Sequence, residues 1–245
     1  GVNVRLNGGV VQIDRLLWDA LTPRKMIRAI DDRLSKDIAF LDVKEVDENW
    51  NPRMANFRVY RYRLEGIEFW KYPGDVFLEW LEIFEGTYDA TNFARLEEGK
   101  NPLRTILSCK PWIVDGRVVG FEIIGEAFLW NQVRRTAMAL HKMCIGELEP
   151  KDVISAKLNP QIEYDFGVAP ADWLILWGVD WDEIPLPDSL TEIRCFSAPP
   201  QGPAVERTMR KRWREGARHE MKSLLYNQWA ELGKLPRVHH RELVD

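Results

Sequence analysis

"TILSCKPWIVDGRVVGFEII", residues 105–124, holds two apolar runs on either side of Asp115-Gly116. An Asp-Gly pair between runs rich in Ile, Val, Phe and Trp signals a type I′ turn joining two antiparallel strands. The flanks carry a different period. "GDVFLEWLEIFEG" (74–86) predicts an amphipathic helix closed by Gly86. "EAFLWNQVRRTAMALHKMCIG" (126–146) predicts a longer helix closed by Gly146, and "EPKDVISAKL" starts another with Pro150 near its first turn. "DWLILWGVDW" predicts a buried strand. Toward the N-terminus, residues 9–17 and "IAFLDVKEV" (38–46) predict strands, and 22–35 a helix capped by Thr22, with Met26, Ile30 and Leu34 on one face. "NFRVYRYRLEG" (56–66) predicts a strand with Tyr60, Tyr62 and Leu64 sharing a face. Helices alternating with strands that include a hairpin make the fold class α+β, with a mixed, largely antiparallel sheet.

The chain has 245 residues, 45% hydrophobic and 29% charged, with a formal net charge of -4. That is the composition of a soluble globular protein. No apolar run approaches the ~20 residues of a membrane-spanning helix. Cys109, Cys144 and Cys195 are odd in number and widely spaced. They predict reduced thiols, as in a cytosolic protein, with neither a disulfide framework nor a zinc site. His239-His240 is expected to be surface. Five prolines at 185, 187, 199, 200 and 203 mark a linker, followed by a basic helix over roughly 203–233. Residues 206–222 hold seven basic side chains against three acidic ones. That helix either meets phosphates or docks inward through Met209, Trp213, Leu224, Leu225 and Trp229, leaving a solvated basic face. Docking is the expectation, because its tryptophans are poorly suited to water.

No metal motif, phosphate-cradling loop or nucleophile elbow appears. The candidates for chemistry are arginines and aromatics. Tyr60, between Val59 and Arg61, is either half-buried strand packing or an aromatic wall. Arg134 lies among Trp130, Met138 and His141 on a predicted helix; it either snorkels to solvent or needs a partner, since an unpaired buried charge is costly.

Five stretches, taken in order, change this reading. "FRVYRYRLEG", "FEGTYDATNFAR", "NPLRTIL", "GEAFLWNQVRRTAMAL" and "YDFGVAPADWLILWGVDW" resemble the TruA-type tRNA pseudouridine synthases, and "FLWNQVR" looks closest to their archaeal and eukaryotic branch. The resemblance covers about residues 1–182. It implies a pseudouridine-synthase fold and isomerisation of uridine to pseudouridine in the tRNA anticodon stem-loop, with no cofactor and no metal. It further implies a cytoplasmic homodimer with tRNA as partner and no membrane. Tyr60 matches the family's active-site tyrosine, which stacks on the flipped uracil. Arg134 matches the arginine that pairs with the catalytic aspartate. Leu174 matches the apolar floor of the pocket. Arg53, Arg58, Arg104 and Arg135 are candidate phosphate contacts.

In the family, a segment like "GVVQID" follows the motif R-T-D-x-G-V, whose aspartate is the nucleophile. Gly1-Val2 matches its G-V, so the resemblance places that aspartate ahead of Gly1 and leaves this chain alone expected to be inactive. Asp14 matches a downstream aspartate and not the nucleophile. Residues 1–51 then correspond to the remainder of an N-terminal catalytic half, 52–185 to the C-terminal half, and 186–245 to a linker and helical extension. The sequence departs from the family pattern at Asn131, where histidine is usual, at Arg135 and Met138, and at Trp173, where glycine is common and a bulky ring is expected to narrow the pocket mouth or re-aim its loop. A non-catalytic RNA-binding relative, or one half of a split enzyme, is the alternative reading.

Overall fold

The computed structural model describes residues 3–14, 22–34, 38, 40–186, 196–199 and 207–232. Gly1-Val2, Cys195, His239-His240 and most of the proline-rich linker lie outside them, as do the side chains of Arg207, Met209, Lys211 and Arg212. The elements in chain order are β1 (Asn3–Val4), α1 (Pro23–Asp31), β2 (Phe57–Tyr62), α2 (Val76–Glu82), β3 (Gly86–Asp89), β4 (Leu103–Val114), β5 (Arg117–Gly125), α3 (Gln132–Cys144), α4 (Pro150–Leu158), β6 (Leu174–Asp180) and α5 (Arg207–Leu232). They fall into two compact units, residues 1–7 with 55–222, and residues 8–54 with 223–245.

The first unit is built on one six-stranded sheet of order β1-β6-β2-β5-β4-β3. Only the β1–β6 pair is parallel. The α+β class and mixed sheet expected from the sequence are therefore observed. The β4–β5 hairpin turns at Asp115 (φ 50°) and Gly116 (φ 70°). This left-handed pair is what a type I′ turn requires, and its twist matches that of the strands.

Strand alternation and cross-strand register give the sheet two unlike faces. Tyr62 stacks on Phe121 at 6.1 Å on one face, where Tyr60 stands opposite Ile123 and Leu176. Arg61 pairs with Glu122 at 2.7 Å on the other. There the Arg61 guanidinium lies 4.0 Å from the Trp177 ring and 5.6 Å from the Trp112 ring. Arg5 covers Trp177 at 4.5 Å and donates to its carbonyl at 2.7 Å. Burial, followed by the neighbouring Arg61 charge, lowers the Arg5 pKa to about 10.

Residues 207–222 dock on this unit, as expected for the basic helix. Trp213 stacks on Trp173 at 6.5 Å, and Ala217 and Met221 are buried. Arg214 pairs with Glu68 at 3.2 Å and Arg218 with Asp172 at 3.6 Å. Below them Arg63, fully buried, binds Glu65 at 2.6 Å and Glu220 at 3.1 Å, and Arg117 closes on the other Glu65 oxygen.

In the second unit α1 buries Met26 and Ile27. Thr22 Oγ1 accepts from the Lys25 amide at 3.4 Å, as a cap should. Leu34 is only half-buried, because the helix ends at Asp31. The strands expected at 9–17 and 38–46 are absent among the described residues of those segments, and Val10 and Val11 are exposed. β-Branched composition becomes a strand only where a partner edge and a packing surface exist.

Candidate active site

The site grows from the face of β2 that carries Tyr60 and Tyr62. Tyr62 is fully buried and donates its hydroxyl to the Pro170 carbonyl at 2.7 Å. Tyr60 is half-buried, with its ring edge-on to Phe128 at 5.0 Å. Its hydroxyl makes no hydrogen bond to a described residue. Burial raises the Tyr60 pKa, and the Arg58 charge partly offsets this. The phenol is therefore held protonated near neutrality.

Helix α3 starts later than the 126–146 pattern predicts. Residues 126–131 form an irregular approach, and Asn131 at φ 62° turns the chain into the helix at Gln132. Asparagine is among the few non-glycine residues that occupy the left-handed region readily. Its Oδ1 accepts from Arg134 Nη1 at 3.1 Å. Asn131 thus has two local tasks at the position where histidine was expected. Arg134 Nε donates to the Ala169 carbonyl at 2.6 Å, and the Ala169 amide donates back to the Arg134 carbonyl at 3.1 Å. The remaining terminal nitrogen of Arg134 has no partner among the described residues, and no described carboxylate pairs with it. The guanidinium is fixed in direction yet retains a donor.

The loop 165–170 is held to α3 by a row of contacts. Arg135 pairs with Asp165 at 3.0 Å, and Met138 lies against Gly167. The departures at Arg135 and Met138 therefore act together, as one seam between helix and loop. Past that loop, Leu174 is buried at the start of β6, in register with Tyr62. Trp173 is only 2% exposed. Its ring lies so close to Gly66 that a β-carbon there would come within 2.2 Å of it. The expectation that Trp173 narrows an open mouth is corrected: its ring is spent on packing between Gly66 and Trp213.

Tyr60, Arg134 and Leu174 are thus gathered by β2, α3 and β6. Arg58 lies at the edge of this group, donating Nη1 to the carbonyls of Ala55 and Glu126. Register places Arg104 at the same end of the sheet, since Arg58 opposes Gly125 and Gly125 opposes Ile106. Arg104 donates to the Asn101 carbonyl at 2.8 Å. Arg53 belongs to the second unit, where its amide bonds Asn51. The sequence reading missed Tyr62 and Phe128 as supports, and the carbonyls of Ala169 and Pro170. Tyr62 was signalled by its spacing from Tyr60, whereas backbone carbonyls carry no side-chain signal. Burial raises the thiol pKa of Cys109 well above its ordinary value and pushes Cys144 up to about 12, so neither is activated as a nucleophile. No group of three or more metal-ligating side chains is found among the described residues.

The tRNA pseudouridine synthase family model matches residues 81–182, the span from α2 through β6. Over this span the chain is similar to the tRNA pseudouridine synthases. Archaeal proteins named tRNA pseudouridine synthase A are similar over a longer stretch. That of Thermococcus gammatolerans is 37% identical over 151 residues, covering 60% of this chain and 54% of its own. That of Methanoculleus marisnigri is 35% identical over 162 residues, covering 65% and 57%. The chain spans about half the length of the curated relatives it matches. The resemblance drawn from the five motifs, including its archaeal leaning, agrees with these matches. Among the described residues no helix is long and apolar enough to cross a membrane.

Proposed function

We propose that the full-length protein isomerises uridine to pseudouridine in the tRNA anticodon stem-loop, as a cytoplasmic homodimer. The reaction breaks the N1–C1′ bond, forms a C5–C1′ bond and releases the C5 proton, with no net oxidation or reduction. The observation that carries the reading is the spare donor of Arg134. A guanidinium aimed by two acceptors, with no described carboxylate beside it, is arranged to receive one. That carboxylate is a nucleophilic aspartate supplied from outside the described residues. Tyr60 provides the stacking surface for a uracil taken out of the helix, and Leu174 the apolar floor. Arg53, Arg58, Arg104 and Arg135 contact phosphates; of these Arg135 must exchange its bond to the exposed Asp165. No cofactor takes part.

The experiment is release of tritium from C5-labelled uridine in an unmodified tRNA transcript, with the full-length protein. Release, together with pseudouridine in the digested product, supports the reading. Tight tRNA binding without release identifies a non-catalytic RNA-binding relative instead.

A further inference from the structure

Trp130 is the one exposed tryptophan among the described residues, at 53%. Trp112, Trp173, Trp177 and Trp181 are each 3% exposed or less. A large apolar ring left in water needs a reason. Nor is the Trp130 backbone loosely held. The Trp130 carbonyl accepts from the Arg95 amide at 2.8 Å in an isolated antiparallel bridge. The next residue, Asn131, is locked in the left-handed turn that aims Arg134. Two residues before, Phe128 touches Tyr60. The Arg95 guanidinium lies 4.4 Å from the centre of the Trp130 ring. Arg95 is itself exposed and has no ion pair with a described residue.

An exposed indole on an anchored backbone and a guanidinium over its ring, beside a site for a flipped base, form the elements of a single-strand binding platform. We propose that Trp130 and Arg95 make a second RNA subsite, in which Trp130 stacks on an unpaired nucleobase neighbouring the reacting uridine and Arg95 meets the adjoining phosphate. This rests on the reading above in one respect, that the substrate is RNA. Extracting one base from a stem-loop leaves its neighbour without a stacking partner, and an aromatic face replaces that partner. The ligand class is therefore a single-stranded nucleotide of any base, because every base has a π-face.

The test measures binding of the full-length protein to an unmodified tRNA transcript across a salt series. Trp130→Ala should weaken binding by roughly tenfold, the order found for loss of one stacked base. Trp130→Phe should recover most of that loss. Arg95→Gln should lower the salt slope by about 0.7–0.9, one phosphate contact. A transcript with an abasic site next to the target uridine should bind wild type as weakly as the intact transcript binds Trp130→Ala, and that variant should not distinguish the two RNAs. Unchanged affinity in Trp130→Ala, while Tyr60→Phe still slows turnover, overturns the platform and leaves the enzyme reading standing. Altered sedimentation of Trp130→Ala with unchanged tRNA affinity makes the ring a protein contact and also overturns it. Absence of tRNA binding by wild type at low salt overturns both readings.

Discussion

The two faces of the sheet both carry arginines against aromatics, and they treat them differently. On the face toward α5, charge is matched. Arg61 has Glu122, and Arg63 has Glu65 and Glu220. The ring systems of Trp177, Trp112 and Phe196 fill the space between. On the face toward α3, Arg134 is given a carbonyl and an amide oxygen but no described carboxylate, and the Tyr60 hydroxyl has no hydrogen-bond partner among the described residues. Satisfied charge serves packing. Oriented but unsatisfied charge is costly to the fold and is retained where a ligand completes it.

Four measurements would break or sharpen this contrast. The largest effect is expected on the matched face. Arg63→Ala leaves Glu65 and Glu220 short of their shared cation and should destabilise the protein by about 3–5 kcal/mol, read from the denaturant midpoint. A change below ~1 kcal/mol would mean that the cluster is not a unit.

On the other face, Arg134→Lys should leave that midpoint nearly unmoved. It should lower turnover roughly 10²–10³-fold, because an ammonium cannot hold two acceptors and still present a planar donor. Near-normal turnover would place the reacting carboxylate elsewhere.

Tyr60→Phe should keep tRNA affinity and slow turnover by about 10²-fold, if the hydroxyl takes part in moving the C5 proton. The raised pKa of Tyr60 sets the phenol as the resting form. Equal rates for phenylalanine and tyrosine would reduce Tyr60 to a stacking surface.

The smallest effect concerns the seam. The Gly167 amide first, and Arg135 second, hold the Asp165 carboxyl below its ordinary pKa. A depressed carboxyl pKa contributes stability above the unfolded value near 4, lost as pH falls through the folded value. Asp165→Asn should therefore cost a few tenths of a kcal/mol at neutral pH, since the group is exposed, and flatten the acid limb of the stability curve. An unaltered acid limb would show that the seam does not depend on this charge.

Much of the first unit was legible before any coordinates. Asp115-Gly116 between apolar runs specifies a hairpin through local backbone sterics alone. The alternation of Tyr60 and Tyr62 follows from the two-residue period of a strand, and Pro150 and Gly146 mark helix ends for reasons internal to their own residues. The candidate site was legible only in its side chains. Tyr60, Arg134 and Leu174 were singled out by resemblance, and β2, α3 and β6 gather them.

Other features were decided in three dimensions. "VVQID" has strand composition, yet its described residues remain irregular, because a strand needs a neighbour whose location no local pattern encodes. Helix α3 begins at Gln132 and not near Glu126, because the Asn131 turn serves Arg134 and the bridge to Arg95. Trp173 was expected to narrow the mouth or re-aim its loop, and its ring is packed on Gly66, a residue more than a hundred positions away in sequence. Local sterics and periodicity thus determined the elements and the residue types available for chemistry. Only long-range packing decided which arginines were satisfied by carboxylates and which retained a free donor, because burial and pairing depend on neighbours distant in the chain.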